Sequence, residues 1–195
     1  DGDTICDANE VVGCQELTAD NYNALATDAG ECTYTPLTPV LLTPTGGETF
    51  TLTADQDLDS TFVDFTWNAS LYAGSDTLTY LVVAVKMNSE EIQAAGAAAI
   101  ADNMVVFEQT IATTYSALYS ELNITNASLN NNYSWYVAVT KDATGLPYDE
   151  DSIDATLAAE IILGIQEFSI DASVYLSIDA FGIPTEFSVY QNYPN

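Results

Sequence analysis

The sequence predicts an all-β protein, an antiparallel β-sandwich with one short inserted helix and extra strands at its C-terminal end. Three observations carry this prediction. Hydrophobic residues make up 48% and aromatics 11% of the 195 residues, enough to bury a substantial core. Strand-like apolar runs recur with Gly, Pro, Asn and Asp between them. One segment, near residue 89, instead carries a helix-start signal.

Taken in order, residues 1–36 are polar, poorly periodic and hold all three cysteines, Cys6, Cys14 and Cys32. Clustered cysteines of this kind predict a disulfide-stapled cap, and an odd count leaves one thiol unpaired or intermolecular. Pro36, Pro39 and Pro44 then mark a linker entering a first edge strand, where a missing N–H is tolerated. Residues 48–53 alternate, with Phe50 and Leu52 on one face, and residues 61–67 set Phe62 opposite Val63, Phe65 and Trp67. The nearly continuous apolar run 77–87 predicts a central strand buried on both faces. Asn88 stands at an N-cap with Glu91 three residues on, so a helix is expected from Ser89 to about Asp102, weakened at Gly96, the alternative being a flexible loop from Ala94 to Ala101. Residues 104–114 and 116–122 supply further strands. The clearest strand is 133–140, with Tyr133, Trp135, Val137 and Val139 on one side. Beyond an acidic stretch at 142–154, residues 161–170, 173–178 and 186–190 read as strands. The expected domains are a cap at 1–36, a sandwich at 37–171 and a strand extension at 172–195.

Charge excludes whole classes of function. Twenty-nine acidic residues face two lysines, Lys86 and Lys141, with no Arg and no His, for a net charge of −27. Nucleic acid and anionic membranes are not expected partners, because both require basic residues. Without His there is no Ser-His-Asp triad, and without Arg no bidentate phosphate clamp. Nothing singles out a catalytic pair among the carboxylates, so no enzyme activity is expected. Self-repulsion on this scale is relieved by high ionic strength or bound cations, and the alternative reading is an acidic coat that serves solubility alone.

Calcium is the candidate cation, since it takes six to eight oxygen ligands. Asp55, Asp57 and Asp59 alternate like the first ligands of a calcium loop, but Ser60 and Thr66 occupy the glycine and glutamate positions of an EF-hand. A solvated turn is the competing reading. Asn21, Asn23, Asp28 and Glu31 form a second possible cage, and Asp149, Glu150, Asp151 and Asp154 a third. Twelve Tyr and two Trp suit either a core or a sugar-binding face. No apolar run is long enough to span a bilayer, and a signal peptide, where there was one, is expected to have been removed.

Three stretches carry family resemblances. The first joins Pro39-Val40-Leu41-Leu42-Thr43-Pro44, Gly46-Gly47, Phe65-Thr66-Trp67-Asn68-Ala69 and Leu129 through Val137; it resembles a fibronectin type III-like domain of bacterial surface proteins. That resemblance implies an Ig/fibronectin type III-like sandwich with Trp67 as a core tryptophan and Tyr133 as the corner tyrosine tying down a turn. The helix at Ser89 departs from the pattern. The second runs from Gly13-Cys14 through Asn21-Tyr22-Asn23 to Gly30-Glu31-Cys32-Thr33-Tyr34 and is similar to a small repeat of secreted Bacteroidetes proteins. It implies a loop closed between Cys14 and Cys32, leaving Cys6 unpaired or intermolecular. The third, Ile183 through Asn195, resembles the start of a type IX secretion sorting domain, which implies export across an outer membrane to the cell surface or medium. Asp3-Thr4-Ile5, Asp76-Thr77-Leu78 and Asp151-Ser152-Ile153 resemble a Bacteroidetes O-glycosylation pattern and make Thr4, Thr77 and Ser152 candidate glycan sites.

The surplus C-terminal strands direct the functional expectation. Val174, Leu176 and Ile178 alternate, and Phe187 and Val189 follow. Such a segment must bury its apolar face on its own sheet or add to a neighbour's edge, and open head-to-tail addition makes filaments. The expectation is a secreted structural subunit of an extracellular filament or surface layer, its partners copies of itself. The alternative is an adhesive or carbohydrate-binding module that recognises surface glycans.

Overall fold

A computed structural model describes residues 10–53, 55–95, 97–124, 130–142 and 164–173. Among the described residues there are ten strands: β1 Val12–Gly13, β2 Asp28–Ala29, β3 Leu41–Thr43, β4 Glu48–Thr51, β5 Phe62–Trp67, β6 Thr79–Val85, β7 Met104–Thr110, β8 Thr114–Leu118, β9 Asn130–Thr140 and β10 Gln166–Asp171. Helices α1 (Ser89–Ala95) and α2 (Ala97–Asp102) lie between β6 and β7. The strands form a five-stranded sheet in the order β4-β10-β9-β6-β7, a three-stranded sheet β3-β5-β8 and the small pair β1-β2. The all-β expectation holds. The expected strands at 173–178 and 186–190 fall almost entirely outside the described residues.

The two larger sheets share one core. Val63, Phe65 and Trp67 of β5 and Ala117 of β8 are buried with Tyr80, Val82 and Ala84 of β6, Tyr133, Trp135 and Val137 of β9 and Phe168 and Ile170 of β10. Period-2 alternation puts these side chains on the inner faces. Phe65 lies at the centre, edge-on to Trp135 at 5.0 Å and to Phe168 at 5.7 Å, while Phe168 stacks on Tyr133 at 4.9 Å.

β6 is buried on its other face as well. Leu81, Val83 and Val85 meet Ile92 of α1 and Ile100 of α2, together with Tyr136 and Ala138 of β9. The inserted helices are therefore a third layer, and they make a continuous apolar strand possible there. Their start follows the sequence rule: Glu91 N–H donates to Asn88 Oδ1 and Asn88 N–H to Glu91 Oε2, both at 2.9 Å. Glu167 adds a third acceptor, taking the Ser89 N–H at 2.6 Å. The expected helix is present as Ser89–Ala95 and Ala97–Asp102, with position 96 outside the described residues.

The wholly antiparallel arrangement is corrected. β10 pairs with β9 antiparallel but with β4 in parallel, Phe168 opposite Glu48 and Ile170 opposite Phe50. The cause is a change of sheet: β3 pairs with β5, and the chain crosses through Pro44, Gly46 (φ 65°) and Gly47 (φ 74°) before β4 reaches the last strand. Glycine accepts these positive φ values without strain. The strand expected at 116–122 is also displaced, to Thr114–Leu118, because residues 119–122 turn instead.

That turn is anchored by Tyr133, whose hydroxyl donates to the Leu122 carbonyl at 2.8 Å. Burial holds the Tyr133 phenol well above the ordinary tyrosine range. The unfolded chain therefore loses this proton near pH 10 while the folded chain keeps it, so the contribution of Tyr133 to stability is fully present below pH 10 and falls as pH rises past it. Tyr133→Phe is expected to cost about 1–2 kcal/mol at pH 8. The difference from wild type should narrow by pH 11 in urea titrations; a constant difference would contradict the buried phenol.

Candidate binding surface

The first module is built on backbone contact rather than on a core. Cys14 and Cys32 are joined by a disulfide, as the N-terminal resemblance implied, with Cα atoms 4.9 Å apart. β1 and β2 pair in parallel, and a Cβ on Gly30 would lie 2.9 Å from the Gly13 backbone, so the chains meet at a distance only glycine allows. Asn21 staples the closing segment: its Oδ1 accepts from Thr33 N–H at 2.8 Å and its Nδ2 donates to Glu31 O at 2.9 Å. The bond is of the kind that oxidising surroundings preserve. Cys6 lies outside the described residues.

These bonds also show what the proposed oxygen cages do. The Asn21 amide serves the backbone on both its atoms, and Asn23 Oδ1 accepts from Leu25 N–H at 3.0 Å. In the other candidate, Asp57 Oδ1 takes the Asp59 N–H at 3.1 Å, and Asp55 takes the Thr53 hydroxyl at 2.7 Å, which lowers its pKa. Both are arrangements of turn residues. Among the described residues no group of three or more His, Cys, Asp or Glu is placed to hold a metal ion. Asp28 and Glu31 belong to no such group, and Asp149, Glu150, Asp151 and Asp154 lie outside the described residues. Thr77 is exposed, just ahead of β6. Thr4, Ser152, Val174, Leu176, Ile178, Phe187 and Val189 lie outside the described residues.

Two adjoining grooves run beside residues 37–40 and 68–73, and one of them is walled on its other side by the first module. Leu37 N–H donates to Leu71 O at 3.0 Å and Asn68 N–H to Val40 O at 2.9 Å, pairing two extended segments along their floor. One groove, about 540 Å³, is lined by Leu37, Pro39, Val40, Ala69 and Leu71 among others. The second, about 480 Å³, shares Leu37 and Leu71 and adds Asp20, Tyr34, Thr35 and Tyr72. Leu37, Val40 and Leu71 are 59%, 62% and 75% exposed. Each tyrosine is tied to a carboxylate: Tyr34 donates to Glu16 and Tyr72 to Asp76, while Thr35 donates to Asp20 at 2.8 Å. The bond to Asp76, with lesser contributions that include the Asp20 charge, pushes the Tyr72 phenol up to about 12. Nothing in the sequence pattern marked this pair, because its members come from segments nearly forty residues apart.

The three-stranded sheet offers a different surface. Asp64 is the one charged residue among the strand residues of β3, β5 and β8, and its carboxylate accepts from Ser116 Oγ at 2.5 Å. Phe62 and Leu42 are 52% and 44% exposed beside it. β8 is one of the two outer strands of this sheet, β3 being the other. Its Tyr115 and Ala117 pair inward with Phe65 and Val63, which turns the peptide groups of Thr114, Ser116 and Leu118 outward. Glu121 Oε2 takes the Leu118 N–H at 2.8 Å.

No protein-family model matches the chain, and no curated protein or solved structure matches it either. Among the described residues no helix is long and apolar enough to cross a membrane.

Proposed function

We propose that the chain is an extracellular structural subunit that assembles with copies of itself by strand addition into a filament or surface layer. One observation carries this reading. In a chain of net charge −27, the β3-β5-β8 sheet keeps a single charged strand residue, already hydrogen-bonded, and among the described residues β8 has no strand paired on its outer side. Two such anions can approach only where charge is sparse, and an edge strand is the template for a further strand. The added strand in this reading is the alternating segment of Val174, Leu176, Ile178, Phe187 and Val189 from a neighbouring copy. Secretion and surface location belong to the same proposal, supported by the Cys14–Cys32 bond and by the resemblance of residues 183–195 to a sorting domain.

The test is negative-stain electron microscopy with light scattering at high salt, where self-repulsion is screened. Wild-type protein is expected to form regular filaments. Ser116→Pro, which deletes an outward N–H while leaving the inward ladder intact, should leave monomers with an unchanged circular dichroism spectrum. Wild-type protein that stays monomeric at high concentration and high salt defeats the proposal. The alternative, an adhesive or glycan-binding module, draws its support from the tyrosine-lined groove.

A further inference from the structure

We infer that the groove between the first module and the sandwich binds a cationic, partly apolar peptide segment of another protein, a lysine or arginine side chain lying between Tyr34 and Tyr72. Two aromatic rings stand there with three carboxylates: Asp20 lines the groove, Glu16 is bonded to Tyr34 and Asp76 to Tyr72. Each phenol spends its proton on its carboxylate, so toward a ligand in the groove the phenol oxygens of Tyr34 and Tyr72 act as acceptors. An ammonium or guanidinium supplies donors alone, and aromatic faces attract it as well. A charged ligand stem needs apolar cover, and Leu37 and Leu71 provide it at the shared wall of the two grooves. The neighbouring groove with Pro39 and Val40 takes the apolar side chain beside the cation.

Charge identifies the occupant. A second copy brings 29 acidic residues and only two lysines, so the same field that draws a basic segment repels it. An ammonium already contacts this module: Lys141 Nζ donates to the Tyr34 carbonyl at 2.8 Å. The ring of Tyr72 is also held in place. A Cβ on Gly74 would stand 2.3 Å from the Tyr72 hydroxyl, so glycine at 74 lets the ring fold back over the turn toward Asp76.

The test uses the whole chain and a blocked hexapeptide of alternating leucine and lysine, titrated by calorimetry and by amide NMR at physiological salt. One-to-one binding is expected, with shifts confined to the residues around Tyr34, Leu37, Leu71 and Tyr72. Tyr72→Ala should weaken binding at least ten-fold with no change of charge. Gly74→Ala should weaken it several-fold by displacing the ring alone. Asp76→Asn should weaken it far more than Asp64→Asn, which removes the same charge from the remote sheet. Equal losses from the two aspartate variants, or unaltered binding by Tyr72→Ala, would show a general attraction to the acidic surface and overturn the site. Tighter binding of a neutral oligosaccharide in the same groove would overturn the cationic occupant.

Discussion

Trp135→Ala is expected to lower stability by about 3–5 kcal/mol, among the largest losses any single substitution in this chain would produce. Trp135 is fully buried, packs edge-on against Phe65 and donates its indole N–H to the Pro44 carbonyl at 2.8 Å. It thus joins three parts of the fold at one point: the long strand β9, the opposite sheet through β5, and the crossover that carries the chain from β3 to β4. Truncation removes the ring from the core and leaves the Pro44 carbonyl without its donor. For a chain of this length the midpoint of thermal unfolding should fall by roughly 10–15 °C. Trp135→Phe separates the two contributions. It keeps most of the aromatic packing and loses the hydrogen bond, so it should cost about 1–3 kcal/mol. Urea titrations with unchanged slope would assign the losses to the native core. A Trp135→Ala protein within about 1 kcal/mol of wild type would mean that the two sheets are not joined through this residue.

Much of that core was legible in advance because it follows from local periodicity. The alternation of Tyr133, Trp135, Val137 and Val139 survives in the structure, as does the opposition of Phe62 to Val63, Phe65 and Trp67. The start of α1 was legible for the same reason, since Asn88 and Glu91 lie three residues apart and act on each other. Partnership at long range was not. Period 2 tells which side chains share a face but not which strand lies alongside, so the parallel pairing of β4 with β10, 120 residues away, left no trace in the pattern. The role of the helices was hidden similarly: among the described residues of this Ala-rich segment Ile92 and Ile100 are its buried anchors, too few to announce that it would cover β6. The acidic runs misled in the opposite direction. Alternation at Asp55, Asp57 and Asp59 is a conspicuous pattern, yet two of these carboxylates bond to their own turn. The groove at Tyr34 and Tyr72 exists only after folding, so composition offered twelve tyrosines and no reason to choose two.

Replacing Cys14 and Cys32 together with serine should unfold the first module and leave the sandwich standing. A bridge closing a loop of this length is worth about 3 kcal/mol in the chain-entropy picture. Little else opposes that loss, because within residues 10–35 only Cys14 and Ala19 are buried apolar residues, and neither belongs to the sandwich core. The module's amide bonds depend on the closure: Asp20 N–H to Thr33 O at 2.8 Å, Gly30 N–H to Gly13 O at 2.7 Å and Thr33 N–H to Asn21 Oδ1 at 2.8 Å. Hydrogen exchange should therefore show these amides losing protection in the double-serine protein, while the amides of β6 and β9 keep theirs. The unfolding free energy of the sandwich should change by less than about 1 kcal/mol, since the bonds lost lie within the first module and outside the sandwich core. Loss of protection throughout β6 and β9 would instead show that the module and the sandwich fold as one cooperative unit. Tyr34 contributes one wall of the groove and is held two residues beyond Cys32. The double-serine protein should consequently fail to bind the leucine–lysine peptide while its β8 edge still assembles, separating the two surfaces by a single chemical change.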